Sequence, residues 1–291
     1  MLNGNYIDLH THSTASDGTD APARIVESAA ELGLRAVALT DHDTVSGVAE
    51  FLEAGRDFPE LNTIAGVEVS CSYSCREIHL VGLFVDPDSS GLIDFLRLQR
   101  AERLRRNEEL RLKLKSLGFP LEPDEPEFNV PDPGNLGRPH FARALVRRYG
   151  FSSMAAVFEK LLGRSRPAFV PRRLPDPAQA MSAIHDSGGI AVWAHPIYRD
   201  RNERSWLRRG LRRLSALGLD AVEGYYSLFG PNETALVCES AEQYGVAVSG
   251  GSDYHGDNSV IALGSGAGGL RVPAALLEGL ERRRRLYARN D

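Results

Sequence analysis

Short apolar runs that each end in a cluster of polar residues recur along this chain, and segments with helical periodicity separate them. The strand-like runs cover residues 6–10, 35–40, 64–69, 77–84, 189–196, 219–224 and 246–255. Helical periodicity is clear over residues 178–187, 206–217 and 232–244. Strands that alternate with helices of ~10–15 residues are typical of parallel βαβ units. Six or seven such units without a Gly-x-Gly-x-x-Gly phosphate loop favour an α/β barrel over a dinucleotide-binding sheet.

The composition is that of a globular enzyme without a strong overall charge. The net charge of -5 is mild for 291 residues, so an anionic substrate must be bound by local groups. No apolar run reaches the ~18 residues of a membrane span, and no export signal is recognisable, so we expect a cytoplasmic protein without membrane contact. Its three cysteines lack Cys-x-x-Cys spacing, which predicts reduced thiols and argues against a thiolate zinc site.

Residues 89–172 interrupt the alternation of strands and helices. A long helical pattern rich in leucine and arginine is predicted to end at Gly118, and the proline-rich run 120–133 excludes regular structure. Two shorter helices are predicted over residues 141–149 and 154–162. The sequence therefore predicts a barrel built from residues 1–88 and 173–291, with 89–172 as a helical insertion, a substrate-binding lid, over its C-terminal face.

The eight histidines are placed unevenly, because most of them fall where a predicted strand ends. His10 and His12 lie two residues apart, so the strand period of two directs both to the same face. Such a pair alone is as often a core or surface feature as a ligand pair. Its weight comes from carboxylates and histidines in similar positions elsewhere: Asp17, His42, Glu68, His79, His195, Asp253 and His255.

This gives nine candidate ligands of nitrogen and oxygen type, which is too many for one ion, since a catalytic zinc uses about three protein ligands. Two or three divalent ions fit better. Imidazole and carboxylate without thiolate suit Mn, Fe or Zn. Where two ions lie ~3.5–4 Å apart, a bridging water loses its proton near neutral pH and attacks an electrophile held by the same ions. The ligand types thus predict a hydrolase.

The same residues form a series of motifs that resembles the PHP (polymerase and histidinol phosphatase) family. The motifs are His10-x-His12 with Asp17, Thr40-Asp41-His42-Asp43, Gly66-x-Glu68, His79, Ala194-His195-Pro196 and Gly251-Ser252-Asp253-x-His255. The resemblance implies a distorted (β/α)7 TIM-like barrel and metal-dependent phosphoester hydrolysis, with manganese as the first choice of metal. It also implies that all nine residues are metal ligands, and we assign catalytic roles to Asp17, Glu68 and His255, with Glu68 bridging two ions.

Within that family, the insertion resembles the branch that contains the 3′,5′-nucleoside bisphosphate phosphatase and the 5′-to-3′ exoribonuclease. The matching motifs are Asn135-x-Gly137-Arg138-Pro139-His140-Phe141-Ala142 and Arg166-Pro167-Ala168-Phe169-Val170. The resemblance implies removal of the 3′-phosphate from bisphosphates such as pAp, by attack of a metal-bridging hydroxide. It implies a small nucleotide substrate, with short RNA as a further substrate and no stable nucleic-acid partner.

A second phosphate needs its own binding group, and guanidinium groups bind phosphate oxygens bidentately. By helical spacing Arg103, Arg106 and Asn107 share one face, and the loop carrying Arg138 and His140 should fold back toward it. We therefore expect an arginine pair to hold the uncleaved phosphate. The residues assigned to substrate binding are Arg103, Asn107, Asn135, Arg138 and His140, with His140 as a substrate contact or a general acid. The alternatives are a solvated arginine face and a helix cap at His140.

Several other residues receive predictions from their local context. Asp8 and Asp41 are expected to orient imidazoles, and His195, which precedes a proline, is expected to have an extended backbone. His185 is expected to be structural at a helix end. The aromatic residues after the sixth strand are expected either to stack on a base or to belong to the core: Tyr225, Tyr226 and Phe229.

Three other functions remain open at this level. A nuclease acting processively on longer RNA would need a basic track leading away from the site. Histidinol phosphate hydrolysis is a second alternative. A regulatory metal-binding module without activity is the third, although a complete ligand set argues against it.

Overall fold

A computed structural model describes residues 4–130, 133–197, 203–256 and 260–287. The chain divides into two compact units, one comprising Met1–Phe95 with Leu174–Asp291 and the other Leu96–Arg173. The sequence-based boundaries of the insertion were residues 89 and 172. The first boundary, between Phe95 and Leu96, falls inside the long helix Ser90–Ser116, so no loop marks it in the sequence. The predicted place of the insertion over the barrel mouth stays a prediction.

The first unit contains a single eight-stranded sheet. Its strands are β1 (Tyr6–Asp8), β2 (Ala36–Leu39), β3 (Asn62–Tyr73), β4 (Arg76–Leu83), β5 (Ile190–Ala194), β6 (Ala221–Tyr226), β7 (Ala247–Gly251) and β8 (Val272–Pro273). They are hydrogen-bonded in the order β7-β6-β5-β4-β3-β2-β1-β8. Short β8 adds to β1 in the antiparallel sense, so β1 to β7 form the body of the sheet.

This sheet curls into a nearly closed, TIM-like barrel because its first and seventh strands meet. The amide of Leu9 donates to the carbonyl of Gly250 at 3.1 Å, and Asp253 donates to His10 at 2.9 Å. Gly251 permits the approach, since a Cβ at that position would overlap the backbone of His10. Apolar side chains of alternate strand positions fill the interior, among them Ile7, Ile64, Val192 and Val272. The predicted distorted (β/α)7 barrel is confirmed.

The distortion arises at β4, which runs antiparallel to both neighbours, whereas the sequence predicted parallel units throughout. Tyr73 pairs directly with Arg76, leaving a two-residue turn. Both turn residues, Ser74 and Cys75, have positive φ of 47° and 60°. A two-residue connection permits only antiparallel pairing, because a parallel crossover needs a dozen residues or more.

The chain's α-helices are α1 (Pro22–Leu32), α2 (Val48–Gly55), α3 (Ser90–Ser116), α4 (Arg138–Tyr149), α5 (Met154–Val157), α6 (Pro177–Asp186), α7 (Glu203–Ser215), α8 (Pro231–Tyr244) and α9 (Leu276–Arg284). Helix α1 ends at Gly33 with φ 72°, the left-handed conformation that is common after a helix. Aspartate is a usual N-cap residue, but the N-cap of α1 is Ala21 and not the neighbouring Asp20. Asp20 instead accepts a hydrogen bond from the Tyr254 hydroxyl at 2.6 Å.

The second unit packs its own apolar core. Leu110 and Leu114 of α3 contribute to it with Phe128, Phe141 and Leu145. The predicted helix 154–162 is correct in position but changes type, since α5 continues as a π-helix over Phe158–Leu162. The proline-rich run contains the short 3₁₀ helices Pro126–Phe128 and Pro133–Asn135.

Within the described ranges, no helix is both long and apolar enough to cross a bilayer. None of the three cysteines forms a disulfide: Cys71 is buried, Cys75 is exposed and Cys238 is partly buried.

We expect Asp8→Ala to destabilise the metal-free protein by about 3 kcal/mol, since each buried partner left unsatisfied costs ~1–3 kcal/mol. The fully buried carboxylate accepts hydrogen bonds from the Ser252 amide, the Ser252 hydroxyl and the Gly264 amide at 2.6–2.8 Å. Urea unfolding with chelator present measures the change. Asp88→Ala, at an exposed position, is the control, and equal effects of the two substitutions would contradict this role.

Candidate metal centre

The strand ends at one mouth of the barrel carry most of the predicted ligands. His10 and His12 follow β1, His42 follows β2, His195 follows β5, and Asp253 follows β7. Isolated bridges join Thr11 to Tyr254 and His42 to Glu68, which draws the loops after β1, β2 and β7 together. The ligand loops are therefore fixed by main-chain pairing.

Glu68 and His79 reach the same place from inside a hairpin. Glu68 lies on β3 opposite Val81, and His79 lies on β4 opposite Ser70. Residues two apart on one strand share a face, so this register puts the carboxylate and the imidazole on the same side of the hairpin. His79 Nδ1 lies 2.8 Å from Glu68 Oε1.

Glu68 is the centre of the cluster, because its two oxygens face different sets of imidazoles. Oε1 lies 3.4 Å from His10 Nε2 and 3.3 Å from His195 Nε2, in addition to His79. Oε2 lies 3.3 Å from His12 Nε2 and 2.9 Å from His42 Nδ1. A carboxylate that bridges two ions needs this division of its oxygens.

Asp17 and His255 form the open side of the cluster. His255 Nε2 lies 3.3 Å from Asp17 Oδ1, and the side chains are 29% and 14% exposed. The rings of His255 and His12 stack with centroids 4.1 Å apart. His42 reaches this side as well, since its Nε2 lies 4.0 Å from Asp17 Oδ2.

Two of the candidate ligands have a positive φ, a backbone conformation that residues other than glycine rarely adopt. Asp253 has φ 60° and His195 has φ 30°. The predicted extended backbone at His195 is therefore wrong. Its amide donates to Glu223 Oε2 at 2.6 Å, and this bond holds the residue in place. Strained ligands of this kind are typical of functional sites.

The donor set fits divalent cations. Four groups have ligand atoms within 4.8 Å of one another: His12 with Asp17, His42 and His255; His10 with His12 and Asp253; His10 with Glu68 and His195; and His42 with Glu68 and His79. Among the described residues, the buried atoms His10 Nε2, both nitrogens of His12 and Glu68 Oε2 make no hydrogen bond. Buried polar atoms normally have partners, so a cation is the natural partner for them. All nine predicted ligands belong to these groups.

Burial and the charges of neighbouring groups shift the pKa values of the side chains in this cluster. Burial opposes ionisation of Glu68, but the imidazoles of His42, His79 and His10 hold its pKa well below the usual range. Burial also opposes protonation of His79, yet Glu68 raises the pKa of that imidazole to about 10. For His255, Asp17 outweighs burial and raises the pKa to about 10. Burial and His255 lower the pKa of His12 to about 3, so His12 is neutral and ready to bind a metal.

We expect metal binding at pH 7.5 to release about three protons per chain. With pKa values of about 10, His79 and His255 are protonated in the metal-free protein. Burial opposes protonation of His10, but Glu68 and Glu223 raise the pKa of that imidazole well above its usual range. An imidazole must be neutral to bind a metal. Apparent metal affinity should therefore rise with pH up to about 10. Titration calorimetry in buffers of different ionisation enthalpy counts the protons, with His79→Asn expected to remove one. A heat that is independent of the buffer would contradict the protonation states.

The groups that orient the ligands were missed from the sequence. Glu223 on β6 is buried, and its Oε1 lies 3.0 Å from His10 Nδ1 while Oε2 holds His195. Tyr226 donates to Asp253 Oδ2 at 3.0 Å. A buried acid at the end of a strand was the available signal for Glu223, because β6 ends at the same mouth as the ligand-bearing strands.

The predictions for Asp8 and Asp41 as imidazole-orienting groups are wrong. Asp8 accepts from Ser252 and Gly264, as described above. Asp41 accepts from the Ser13 amide and hydroxyl at 2.8 and 2.7 Å and from the Ser16 hydroxyl. Both carboxylates therefore fix the loops that carry ligands, and hydrogen bonding to main-chain amides is their main role.

The aromatic residues after β6 and the histidine of α6 have separate positions. Tyr225 packs against the barrel core. Tyr226 lies beside His195 with ring centroids 5.3 Å apart, and Phe229 packs on Tyr226. His185 bonds to Asp220 at 2.8 Å and stacks on Tyr287, which agrees with a structural role.

In the second unit, α3 and the segment before α4 are joined by hydrogen bonding. Arg103, Arg106 and Asn107 lie on one face of α3 and are buried. Asn107 Nδ2 donates to the Leu136 carbonyl at 2.8 Å, so this segment folds back onto α3. Arg138 and His140, which were expected in a loop, lie in the first turn of α4. His140 Nδ1 accepts from the Gly137 amide at 3.1 Å, which gives that nitrogen the capping role.

Arg138 begins α4 and is partly buried. Asn135 lies in the 3₁₀ helix Pro133–Asn135, and its side chain is outside the described part of the chain. Contact of these residues with substrate stays a prediction.

Comparison with known protein families identifies the family of this chain. The PHP domain model matches residues 8–163, which is more than half of the chain. The chain belongs to the PHP family. The match includes six of the nine candidate ligands and most of the insertion.

Two curated relatives extend over most of this PHP protein. The 5′-3′ exoribonuclease Rnm of Escherichia coli is 36% identical over 268 residues, covering 91% of each chain. The 3′,5′-nucleoside bisphosphate phosphatase of Chromobacterium violaceum is 35% identical over 254 residues, covering 86% of this chain and 87% of that protein.

Solved structures agree with the fold. An amidohydrolase from C. violaceum, with bound sulfate and no metal, superposes with a TM-score of 0.82 at 30% identity and covers 96% of each chain. A protein from Bifidobacterium adolescentis described as a metal-dependent phosphoesterase superposes with a TM-score of 0.82 at 28% identity, covering 95% and 96%. This chain is a PHP-type, metal-dependent phosphoesterase.

Proposed function

We propose that this phosphoesterase removes the 3′-phosphate from 3′,5′-nucleoside bisphosphates, converting pAp to AMP and phosphate. The observation that carries the proposal is the cluster of nine imidazole and carboxylate ligands around Glu68. The choice of substrate is supported by the bisphosphate phosphatase relative, which is 35% identical over most of both chains.

Divalent ions bound in the cluster would supply an acidified water as nucleophile and would neutralise charge on the phosphoryl oxygens. Manganese is our first choice among Mn, Fe and Zn, with two or three ions in all. Glu68 holds two sides of the cluster at a fixed separation through its two oxygens. Asp17 and His255, on the open side, are the ligands that the arriving phosphate would meet.

The chain's contribution to the reaction is positioning. Glu223 binds the ring nitrogen Nδ1 of His10 and the backbone amide of His195. Both imidazoles, which lie beside Glu68 Oε1, therefore keep one orientation. Tyr226 holds Asp253 in the same way, and burial raises the pKa of the Tyr226 hydroxyl, which therefore stays a donor. A preorganised ligand set of this kind lowers the cost of reorganisation during reaction.

The uncleaved 5′-phosphate is assigned to the insertion, with Arg138 and Arg103 as the charged groups. We expect Arg138→Ala to reduce the preference for bisphosphate over 3′-monophosphate about tenfold or more, since a hydrogen bond to a charged group contributes ~1.5–3 kcal/mol. Arg143→Ala, five residues further along α4, is the matched control. Phosphate release from both substrates with Mn, Fe and Zn gives the measurement.

Two results would contradict the proposal. An unchanged preference in Arg138→Ala would remove the assigned phosphate contact. Absence of phosphate release from any bisphosphate with all three metals would remove the bisphosphatase assignment itself.

A second candidate function is 5′-to-3′ exoribonuclease activity on short 5′-phosphorylated RNA. It is favoured by the exoribonuclease relative, which is as similar as the bisphosphatase. The ratio of kcat/KM on pAp to kcat/KM on a 5′-phosphorylated oligoribonucleotide distinguishes the two.

A further inference from the structure

Helix α7 presents a face of arginines to solvent. Trp206, Leu207, Gly210, Leu211 and Leu214 form its buried side. The exposed side carries Arg204, Arg208, Arg209, Arg212 and Arg213. This arginine face is a strong local positive charge on a chain whose net charge is -5.

Among the described residues, no carboxylate forms an ion pair with any of the five guanidinium groups of the arginine face. The guanidinium group of Arg209 donates to the Ser205 hydroxyl on its own helix. Some exposed arginines elsewhere are ion-paired: Arg105 pairs with Glu102 and Glu109, and Arg24 pairs with Glu27. Like charges four residues apart on a helix repel each other, so this face weakens α7 in the free protein.

The position of α7 connects this face to the metal centre. The Trp206 indole donates to the carbonyl of Pro196, the residue after His195, at 3.1 Å. One turn later, Gly210 packs so closely on Trp193 of β5 that a Cβ would overlap the indole ring. The helix therefore begins at the ligand-bearing end of β5 and runs away from it.

The length of the arginine face favours a polymer over a mononucleotide. From Arg204 to Arg213 the helix rises about 14 Å, and Arg204, Arg208 and Arg212 follow one another at intervals of about one turn. We propose that the arginine face of α7 binds the phosphodiester backbone of an RNA strand whose terminal phosphoester lies at the metal centre. The inference rests on the second candidate function given above, because it assigns an RNA to the same metal centre. Contacts to phosphates make the binding independent of base sequence.

The test uses two triple variants with equal changes in charge. One, the track variant, replaces three arginines of the arginine face, as Arg204→Gln, Arg208→Gln and Arg212→Gln. The control replaces three exposed, ion-paired arginines elsewhere in the same unit, as Arg24→Gln, Arg56→Gln and Arg282→Gln. Binding of a 5′-phosphorylated ten-nucleotide RNA is measured by fluorescence anisotropy with chelator present, so turnover is not needed. Hydrolysis of pAp by the metal-loaded protein is measured separately.

The track variant is expected to bind RNA about 10- to 100-fold more weakly at 0.1 M salt than the unmodified protein. Its slope of log affinity against log salt should be shallower by about 2, since each single-strand phosphate contact contributes ~0.7. The control should retain both values, and hydrolysis of pAp should be equal in all three proteins.

Equal RNA binding by the track variant and the unmodified protein would overturn the inference, as would equal weakening by the control. Binding of α7 to phosphatidylserine vesicles in place of RNA would overturn it too. Failure of the proposed function would give a different result. The unmodified protein would then release no phosphate from pAp, while its RNA binding would still depend on the arginine face.

Discussion

Replacing Glu68 with glutamine is expected to abolish metal retention and to reduce phosphate release about 1000-fold or more. Glu68 is in contact with five imidazoles, and both of its oxygens are engaged. Glutamine keeps the shape but removes the negative charge that holds the cations together. Loss of several kcal/mol of charge stabilisation corresponds to this reduction in rate.

Two measurements check this expectation together. Elemental analysis after gel filtration gives metals per chain, and phosphate release from pAp gives kcat. Glu60→Gln, at a fully exposed glutamate in the same unit, is the control. A Glu68→Gln protein that retains its metals and a tenth of the activity would show that Glu68 is not the bridge.

Replacing Glu223 with alanine is expected to weaken metal affinity and activity by about 10- to 100-fold, although Glu223 is not among the predicted ligands. Groups that orient metal-binding histidines typically have effects of this size. Glu223 acts on two ligands at once, His10 through its ring and His195 through its amide. The loss should appear in the metal dissociation constant as well as in kcat.

Glutamine at position 223 provides the sharper comparison. Its carbonyl still accepts from His10 Nδ1, but its amide group cannot accept from the His195 backbone, so partial recovery is expected. Glu239→Gln, at an exposed position on α8, serves as the control. Metal affinity of Glu223→Ala equal to that of the control would contradict the positioning role.

The sequence predicts the barrel and its ligand cluster well because both depend on short patterns. The period of two places His10 and His12 together, and strand ends converge in any barrel of this type. His79 is the exception, since an imidazole inside an apolar strand is usually structural. Only the likeness of the whole motif series to a family identified it.

The contacts that sequence reasoning missed depend on pairs far apart in the chain. Glu223 meets His10 across 213 residues, and Asp8 meets Ser252 across 244. The antiparallel β4 was missed for a different reason. Ser74 and Cys75 form its turn in the left-handed region, where glycine and asparagine are the usual signal, so the hairpin left no mark in the sequence.

The sequence alone did not identify the arginines of α7 as a basic track, which a nuclease acting on longer RNA would need. Their position relative to the site becomes known only from the hydrogen bond between Trp206 and Pro196, which places the start of the helix beside His195.

The metal centre requires that nine side chains from six strands and their loops hold a cluster of cations. Anomalous diffraction at the manganese edge, from crystals grown with Mn²⁺, tests it directly. We predict two or three peaks among the nine side chains, each ~2.0–2.2 Å from imidazole nitrogens or carboxylate oxygens, with one peak on each side of Glu68. The absence of peaks within this cluster, or peaks confined to other parts of the protein, would contradict it.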